Sequence, residues 1–245
     1  MGGSHDICED LILLAFIAFA ILSAAAWSYM FLRRDRFEPE PRWLLFRLFI
    51  GGAVAAVAAG AANGLAFELG VSEGAIVILV APPVEETLKI VAVIILAYGS
   101  RHFTQLVDGA VYGVSLGLGF AVVENISYAV EFGASTLAAR SLFIPVGHAL
   151  FTGVSGLYLA RMKFDGRRDL AVLGLGIAVL LHAMWNAPVA LSLILASDWF
   201  LTLGFIVLAL EIAVLVRFLK LMSSPEAQAL RRLVQVGHLD EPVSS

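Results

Sequence analysis

The sequence predicts an all-α membrane protein, a polytopic bundle of about seven transmembrane helices. Of its 245 residues, 60% are hydrophobic and only 15% are charged, whereas soluble domains carry roughly 25% charged residues. The mean hydropathy is +0.90. The apolar residues also come in uninterrupted stretches of about 20, which is the length that crosses a bilayer as a helix. Lipid is therefore the expected solvent of this chain.

Seven stretches are long and apolar enough to be membrane spans. They are 10–32, 45–68, 74–98, 106–131, 139–160, 170–196 and 198–221. The first follows Asp6, Glu9 and Asp10 instead of the basic region that begins a secretory signal, so we expect a retained span. No linker is long enough to separate domains. We therefore expect one transmembrane domain over 1–245, with a short cytoplasmic tail at 223–245.

The cations of the connecting segments alternate between the two sides of the predicted membrane. One side receives Arg33, Arg34, Arg36, Arg42, Arg47, Arg101, Arg161, Lys163, Arg167, Arg168, Arg217, Lys220, Arg231 and Arg232. The other side carries Glu68, Glu73, Glu131 and Asp198, with Arg140 as its one clear cation. Cytoplasmic loops are the ones enriched in Lys and Arg. This predicts an N-terminus outside and a cytoplasmic C-terminus.

Composition also excludes several classes of function. Cys8 is the only cysteine, so the chain can form neither an internal disulfide nor a cysteine-based metal cluster. No long basic run or basic patch with interleaved aromatic residues predicts nucleic-acid binding. The partner that the composition predicts is the lipid bilayer, and the sequence does not define an oligomeric state.

Ionisable and amide side chains interrupt four of the predicted spans. They are Glu85, Glu86 and Lys89 in the third span, Glu124 and Asn125 in the fourth, His148 in the fifth, and His182 and Asn186 in the sixth. The rise of a helix places the charged and histidine members roughly 10–18 Å from a span end. Polar groups at similar depth on four helices predict a functional site, although membrane helices also use such groups as interhelical hydrogen-bond partners.

Two prolines precede the paired glutamates of the third span. Pro82 and Pro83 interrupt the helical hydrogen bonds and are predicted to begin a new half-helix. Lys89 follows Glu85 by four residues and Glu86 by three, so its side chain can lie over either carboxylate. The two glutamates point about 100° apart on a helix. One can therefore face a reaction centre while the other holds the lysine.

Small residues and prolines mark the other three spans. Gly109, Gly113 and Gly117 are spaced by four and predict a face for close helix packing. Glu124 lies on nearly the same stripe and should point into the bundle. In the sixth span His182 and Asn186 share a face. Irregular backbone near prolines is tolerated at depth where it lines an enclosed or wet cavity.

Four motifs at these positions resemble one known family. They are PVEETLK (83–89), DG (108–109) with FAVVEN (120–125), GHA (147–149) and HAMWNA (182–187). In this order they resemble the PrsW family of intramembrane proteases, which belongs with the CAAX-prenyl-protease and bacteriocin-immunity superfamily. The resemblance covers 82–188 and implies a catalytic core at 74–196.

The resemblance implies peptide hydrolysis by a glutamate-activated water. Glu85 or Glu86 would be the general base. Glu124 stands where prenyl-protease relatives usually have a histidine, so either Glu124 or His148 would share the water. No cofactor is expected under this hypothesis.

The resemblance also implies roles for the sixth span and for the substrate. His182 and Asn186 would hydrogen-bond the tetrahedral oxyanion, with Lys89 and Asn125 as supporting residues. The substrate would be a single-span membrane protein similar to an anti-sigma factor, and the enzyme would be a multi-pass protein of a bacterial plasma membrane.

A zinc-dependent version of the same protease is a competing hypothesis. Histidine and carboxylate ligands suit Zn²⁺, and three protein ligands plus water make a catalytic site. Either Glu85 or Glu86, together with Glu124, His148 and His182, could supply them. The H-E-x-x-H helix of common metalloproteases is absent from the sequence.

Three more hypotheses rest on different residues or on no chemistry at all. The stretch Gly153-Val154-Ser155-Gly156 matches the G-x-S-G string of rhomboid proteases, in which Ser155 and His182 would form a dyad. Buried Glu and His with broken helices also fit a proton-coupled transporter. A non-catalytic immunity or scaffold protein could keep the same fold.

Glu211, in the seventh span, is predicted to snorkel toward the cytoplasm or to pair with Arg217.

Overall fold

The computed structural model describes residues 3–32, 40–197 and 199–222, and every regular element within these ranges is helical. We number the helices in chain order and take the interrupted run at 73–98 as one helix, α3. They are α1 (Gly3–Leu32), α2 (Arg42–Glu68), α3 (73–98), α4 (Leu106–Phe132), α5 (Ala134–Asp165), α6 (Asp169–Leu195) and α7 (Trp199–Met222). The all-α prediction is confirmed for these residues.

Five helices among the described residues are long and apolar enough to cross a membrane. These spans are Leu14–Phe31, Arg42–Glu68, Leu106–Phe132, Phe143–Asp165 and Asp169–Ser192. The stretches expected as third and seventh spans are not among the five, so the count of seven and the orientation of the termini stay predictions. The expected cytoplasmic tail at 223–245, the arginines at 33–36 and Asp198 lie outside the described residues.

Helix α3 changes its hydrogen-bonding pattern three times. It consists of an α-helical turn (Glu73–Ala75), a π-helical turn (Ile76–Val80), an α-helix (Ala81–Val93) and a second π-helical turn (Ile94–Tyr98). The amide of Ala81 bonds the carbonyl of Ile76, and Pro82 and Pro83 then occupy the first turn of the new α-helical piece. Proline is tolerated there because it has no N–H to leave unbonded. The predicted half-helix start is confirmed.

Helix α4 is the buried centre of the bundle. A Cβ atom at Gly109, Gly113 or Gly117 would collide with a backbone carbonyl of α5. On the opposite side, a Cβ atom at Gly119 would collide with the carbonyl of Phe49 in α2. The predicted glycine face therefore lets α4 and α5 pack at backbone contact.

This close packing sets the register of the site. The α4–α5 connection is a single residue, Gly133, with φ of +83°, a backbone conformation that favours glycine. The two helices consequently run antiparallel, and the carbonyl of His148 lies against Gly117. Residues that lie before Gly133 thus meet residues that lie a similar distance after it.

Candidate active site

The predicted polar residues surround one large cavity among helices α2 to α7. Its volume is about 1090 Å³, and its walls are mostly apolar. The ionisable and amide side chains from the predicted set that line it are Glu85, Glu124, His148, His182 and Asn186. Helices α3, α4, α5 and α6 thus each bring a predicted residue to the same cavity.

The paired glutamates lie in different surroundings. Glu86 is fully buried, and its carboxylate accepts bonds from Lys89 Nζ at 2.8 Å, His182 Nδ1 at 2.9 Å and Thr152 Oγ1 at 3.3 Å. Glu85 lines the cavity, and its Oε2 lies 3.5 Å from Lys89 Nζ and 3.9 Å from His182 Nε2. Glu86 is therefore saturated with donors, whereas Glu85 is held loosely and faces the cavity.

Lys89 is the cation at the centre of the cluster. It is fully buried, and its ammonium lies 2.8 Å from Glu86, 3.5 Å from Glu85 and 2.7 Å from His148 Nδ1. It also lies 3.8 Å from the centroid of the Phe120 ring, a favourable position for a cation. The prediction that Lys89 could lie over either carboxylate is confirmed, and the bond to His148 adds a third partner.

The bond from Lys89 fixes the tautomer of His148. An ammonium group only donates, so Nδ1 of His148 must accept and the ring proton resides on Nε2. Nε2 then donates to Glu124 Oε2 at 2.5 Å. Arg140 Nη2 donates to the other oxygen of Glu124 at 2.8 Å, and its guanidinium stacks 3.6 Å from the centroid of the Tyr128 ring.

These bonds form one chain of polar groups across four helices. It runs from Arg140 through Glu124, His148, Lys89 and Glu86 to His182 at its other end. Sequence reasoning assigned Arg140 only to the outer side of the membrane. Its position in the sequence could have identified it. Arg140 lies seven residues after Gly133 and Glu124 lies nine residues before Gly133, so the antiparallel helices place the two residues opposite each other.

His182 keeps one ring nitrogen toward the cavity. Its Nδ1 carries the proton that is donated to the Glu86 carboxylate, and Nε2 lies toward Glu85. The ring stacks on Phe151 with centroids 5.1 Å apart. The three carboxylates of the cluster face the side chains of Lys89 and Arg140.

Asn186 connects α6 to the interrupted part of α3. Its Nδ2 donates to the carbonyl of Val77 at 2.9 Å. That carbonyl lacks a π-helical partner because the residue five positions on, Pro82, has no amide N–H. Asn186 therefore stabilises the break that precedes Glu85, and its amide keeps a second N–H.

Two other predicted residues lie away from the cavity wall. Asn125 is buried, and neither side-chain polar atom has a hydrogen-bond partner in the described part of the chain. Ser155 is buried, and its hydroxyl donates to the carbonyl of Thr152 at 3.0 Å. This local bond within α5 replaces the dyad with His182 that the rhomboid-like hypothesis requires.

The donors around the cavity fit a zinc ion in type and number. Glu85, His148 and His182 each offer one ligand atom, and these atoms lie within 4.8 Å of one another. Three such ligands plus water make a catalytic zinc site. Both ring nitrogens of His148 are engaged, so metal binding would require this residue to give up its bond to Lys89 or Glu124.

The two other carboxylates expected as zinc ligands have different partners. Glu86 is bonded to Lys89, His182 and Thr152, and Glu124 is bonded to His148 and Arg140. Of the three carboxylates considered as zinc ligands, Glu85 is the one that the described residues group with His148 and His182.

Comparison with known proteins shows the family of this chain. The family model described as PrsW family intramembrane metalloprotease matches residues 40–216, which include all four motifs. The chain belongs to the PrsW family. It is 31% identical to Protease PrsW of Geobacillus kaustophilus over 207 residues, covering 78% of this chain and 88% of that protein.

Two further PrsW relatives show the same level of similarity. Protease PrsW of Bacillus subtilis is 32% identical over 179 residues, covering 69% of this chain and 82% of that protein. The Clostridioides difficile protein of the same name is 31% identical over 196 residues, covering 72% and 78%. No solved structure matches the chain. The family and the apolar helices identify a multi-pass integral membrane protein.

Proposed function

We propose that this protein is an intramembrane endopeptidase in which the Glu85 carboxylate activates the attacking water. The observation that carries the proposal is the unequal environment of the paired glutamates. Glu85 faces the cavity with no bond shorter than 3.5 Å to a described side chain, whereas three donors hold Glu86. A general base needs a free oxygen within reach of its water.

Glu85 accepts a proton from water while the oxygen attacks the carbonyl carbon of the scissile peptide bond. The tetrahedral intermediate carries its negative charge on the former carbonyl oxygen. Glu85 then returns the proton to the leaving nitrogen as the C–N bond breaks, giving a carboxyl and an amino terminus. One residue serves as base and then as acid, so no second proton donor is required.

The oxyanion would be stabilised by donors from α6. The second N–H of Asn186 is one, and Nε2 of His182 is the other when both nitrogens of that ring carry a proton. Preorganised donors in a dry site stabilise such charge far better than water does.

The cavity supports a membrane-embedded substrate. Its volume of about 1090 Å³ exceeds the usual range of small-molecule pockets, roughly 300–1,000 Å³. Small residues of α2, among them Ala56, Ala59 and Gly60, form one wall. We propose a single-span membrane protein, of the anti-sigma-factor kind, as the substrate.

The proposal is tested by cleavage of internally quenched single-span peptides in proteoliposomes. The variant Glu85→Gln should lower the cleavage rate about 100- to 10,000-fold, the range for loss of a general base. The matched control is Glu68→Gln at the exposed end of α2, which should cleave at the unmodified rate. Cleavage by Glu85→Gln at that rate would contradict the proposal.

A zinc-dependent version is the second candidate, favoured by the grouping of Glu85, His148 and His182. These three residues would hold the ion, and the ion would lower the pKa of a bound water and polarise the peptide carbonyl. Metal content of the purified active protein distinguishes the two versions. Under the proposal, exhaustive chelation leaves cleavage unchanged; loss of cleavage on chelation and recovery with Zn²⁺ would establish the metal-dependent version.

A further inference from the structure

A buried carboxylate lies outside the catalytic cluster. Glu211 of α7 is only 4% exposed, and both carboxylate oxygens lack a hydrogen-bond partner among the described residues. The predictions that this residue snorkels or pairs with Arg217 are therefore wrong. An unpaired carboxylate in an apolar surrounding is costly, which makes the surroundings of Glu211 informative.

Glu211 lines a second cavity of about 360 Å³. Helix α1 contributes Trp27 and Met30, helix α5 contributes Val146 and Leu150, and helix α6 contributes Trp185. Among the described residues that form this lining, Glu211 alone is ionisable. The volume is within the usual range of ligand pockets, and one polar group among apolar walls is the usual pattern of such pockets.

The chemistry of the lining indicates what the cavity can hold. A carboxylate only accepts hydrogen bonds, so its best partner is a cationic donor, which forms a charge-assisted bond. The apolar walls fit a hydrocarbon stem. Trp27 and Trp185 line the cavity, and indole rings attract organic cations. We propose that this cavity binds a protonated primary amine carried on an apolar stem, with the ammonium at Glu211.

Two molecules could supply this amine. One is a free lipophilic amine dissolved in the membrane. The other is a lysine side chain of a membrane-embedded polypeptide, since Phe143 and Trp185 line both this cavity and the catalytic one. The proposal does not depend on proteolytic activity. Glu211 has no hydrogen bond among the described residues, and so none to the chain of polar groups that runs from Arg140 to His182.

Binding can be measured on the full-length protein in nanodiscs of zwitterionic lipid. 4-Phenylbutylamine is the probe, and 4-phenylbutanol is its uncharged analogue. Quenching or shift of tryptophan fluorescence and the rise in thermal unfolding temperature report on binding. We expect saturable binding of the amine and binding of the alcohol at least about tenfold weaker, since a hydrogen bond between charged groups supplies that difference.

Three variants test the assignment to this cavity. Glu211→Gln keeps the shape and removes the charge, so amine affinity should fall at least about tenfold. Met30→Phe keeps the carboxylate and reduces the space, so it should also weaken binding. The matched control Glu68→Gln should bind the amine unchanged. Equal amine binding by the unmodified protein and by both cavity variants would overturn the proposal.

A second titration identifies the source of the amine. It uses a single-span peptide with one central lysine and the same peptide with methionine there. Glu211-dependent binding of the lysine peptide but not of 4-phenylbutylamine would assign the site to a polypeptide partner, and the reverse would assign it to a free amine. Absence of Glu211-dependent binding of both probes would refute the site.

Discussion

The two cavities hold buried carboxylates in opposite situations. In the polar cluster at the first cavity, Glu86 receives three donors and Glu124 receives two. In the cavity between α1 and α7, Glu211 has no partner among the residues described. Burial alone therefore does not define the role of a carboxylate in this protein. A saturated carboxylate positions its neighbours, whereas an unsaturated one is available to water or to a ligand.

The largest expected effect is the removal of the central cation. Lys89→Met leaves Glu86 buried without its ion-pair partner and frees Nδ1 of His148. Removing one partner of a buried ion pair costs about 3–5 kcal/mol. Unfolding of the variant in detergent should show a loss of that size, whereas Lys220→Met, at an exposed position, should unfold like the parent. Equal stability of both variants would mean that Glu86 is not held by Lys89.

Substitution of Arg140 tests one end of the chain of polar groups. This residue acts on Glu124 and touches no reacting atom, so it is a positioning residue. Arg140→Met should lower kcat about ten- to a hundredfold, equivalent to a charged hydrogen bond of about 1.5–3 kcal/mol, with a smaller change in KM. Arg140→Lys should restore part of kcat.

The control for this variant is Arg161→Met, because the Arg161 guanidinium forms an exposed pair with Asp165 and lies 5.9 Å from the centroid of the Tyr158 ring, away from the cavity residues. It should leave kcat unchanged. If Arg140→Met raises KM and leaves kcat unchanged, this residue binds substrate instead of positioning Glu124.

The backbone contact between α4 and α5 can be tested by adding one methyl group. Gly113→Ala would drive a Cβ atom into the carbonyl of Thr152, and such overpacking costs about 1–3 kcal/mol. Gly176→Ala in α6 meets no atom within 4 Å and should be neutral or slightly stabilising. Thermal unfolding of the two variants should differ accordingly. Equal unfolding temperatures would mean that α4 and α5 are not in backbone contact there.

The smallest expected effect is a gain in stability at the second cavity. Glu211→Leu replaces an unpaired buried carboxylate by an apolar side chain, so the ligand-free protein should be unchanged or stabilised by up to about 1–3 kcal/mol. Glu86→Leu, the matched change at the saturated position, should destabilise. Strong destabilisation by Glu211→Leu would reveal a partner for this carboxylate.

The sequence predicted those features that depend on spacing along one helix. The close-packed glycine face of α4, the new half-helix at Pro82 and Pro83, and the reach of Lys89 to both glutamates follow from helical periodicity. All three were confirmed. The similar depth of the polar residues on four helices predicted that they lie together, because a buried polar group in a bilayer needs a partner from another helix.

Features that depend on helix rotation and on contacts between helices could not be predicted. Adjacent glutamates differ by about 100° in direction, but only the packed bundle determines that Glu85 faces the cavity. Arg140 of α5 bonds Glu124 of α4 across the Gly133 turn, and periodicity within one helix does not predict a contact between two helices. That Glu211 has no partner among the described residues likewise depends on the neighbouring helices, whereas spacing along α7 suggested Arg217.

The central claim is that Glu85 performs the chemistry while Glu86 holds the cluster together. The most direct test measures cleavage and unfolding of Glu85→Gln and Glu86→Gln side by side in the same lipid. We expect Glu85→Gln to be inactive but as stable as the parent, and Glu86→Gln to be measurably destabilised. An active Glu85→Gln protein, or an inactive Glu86→Gln protein of unchanged stability, would contradict the claim.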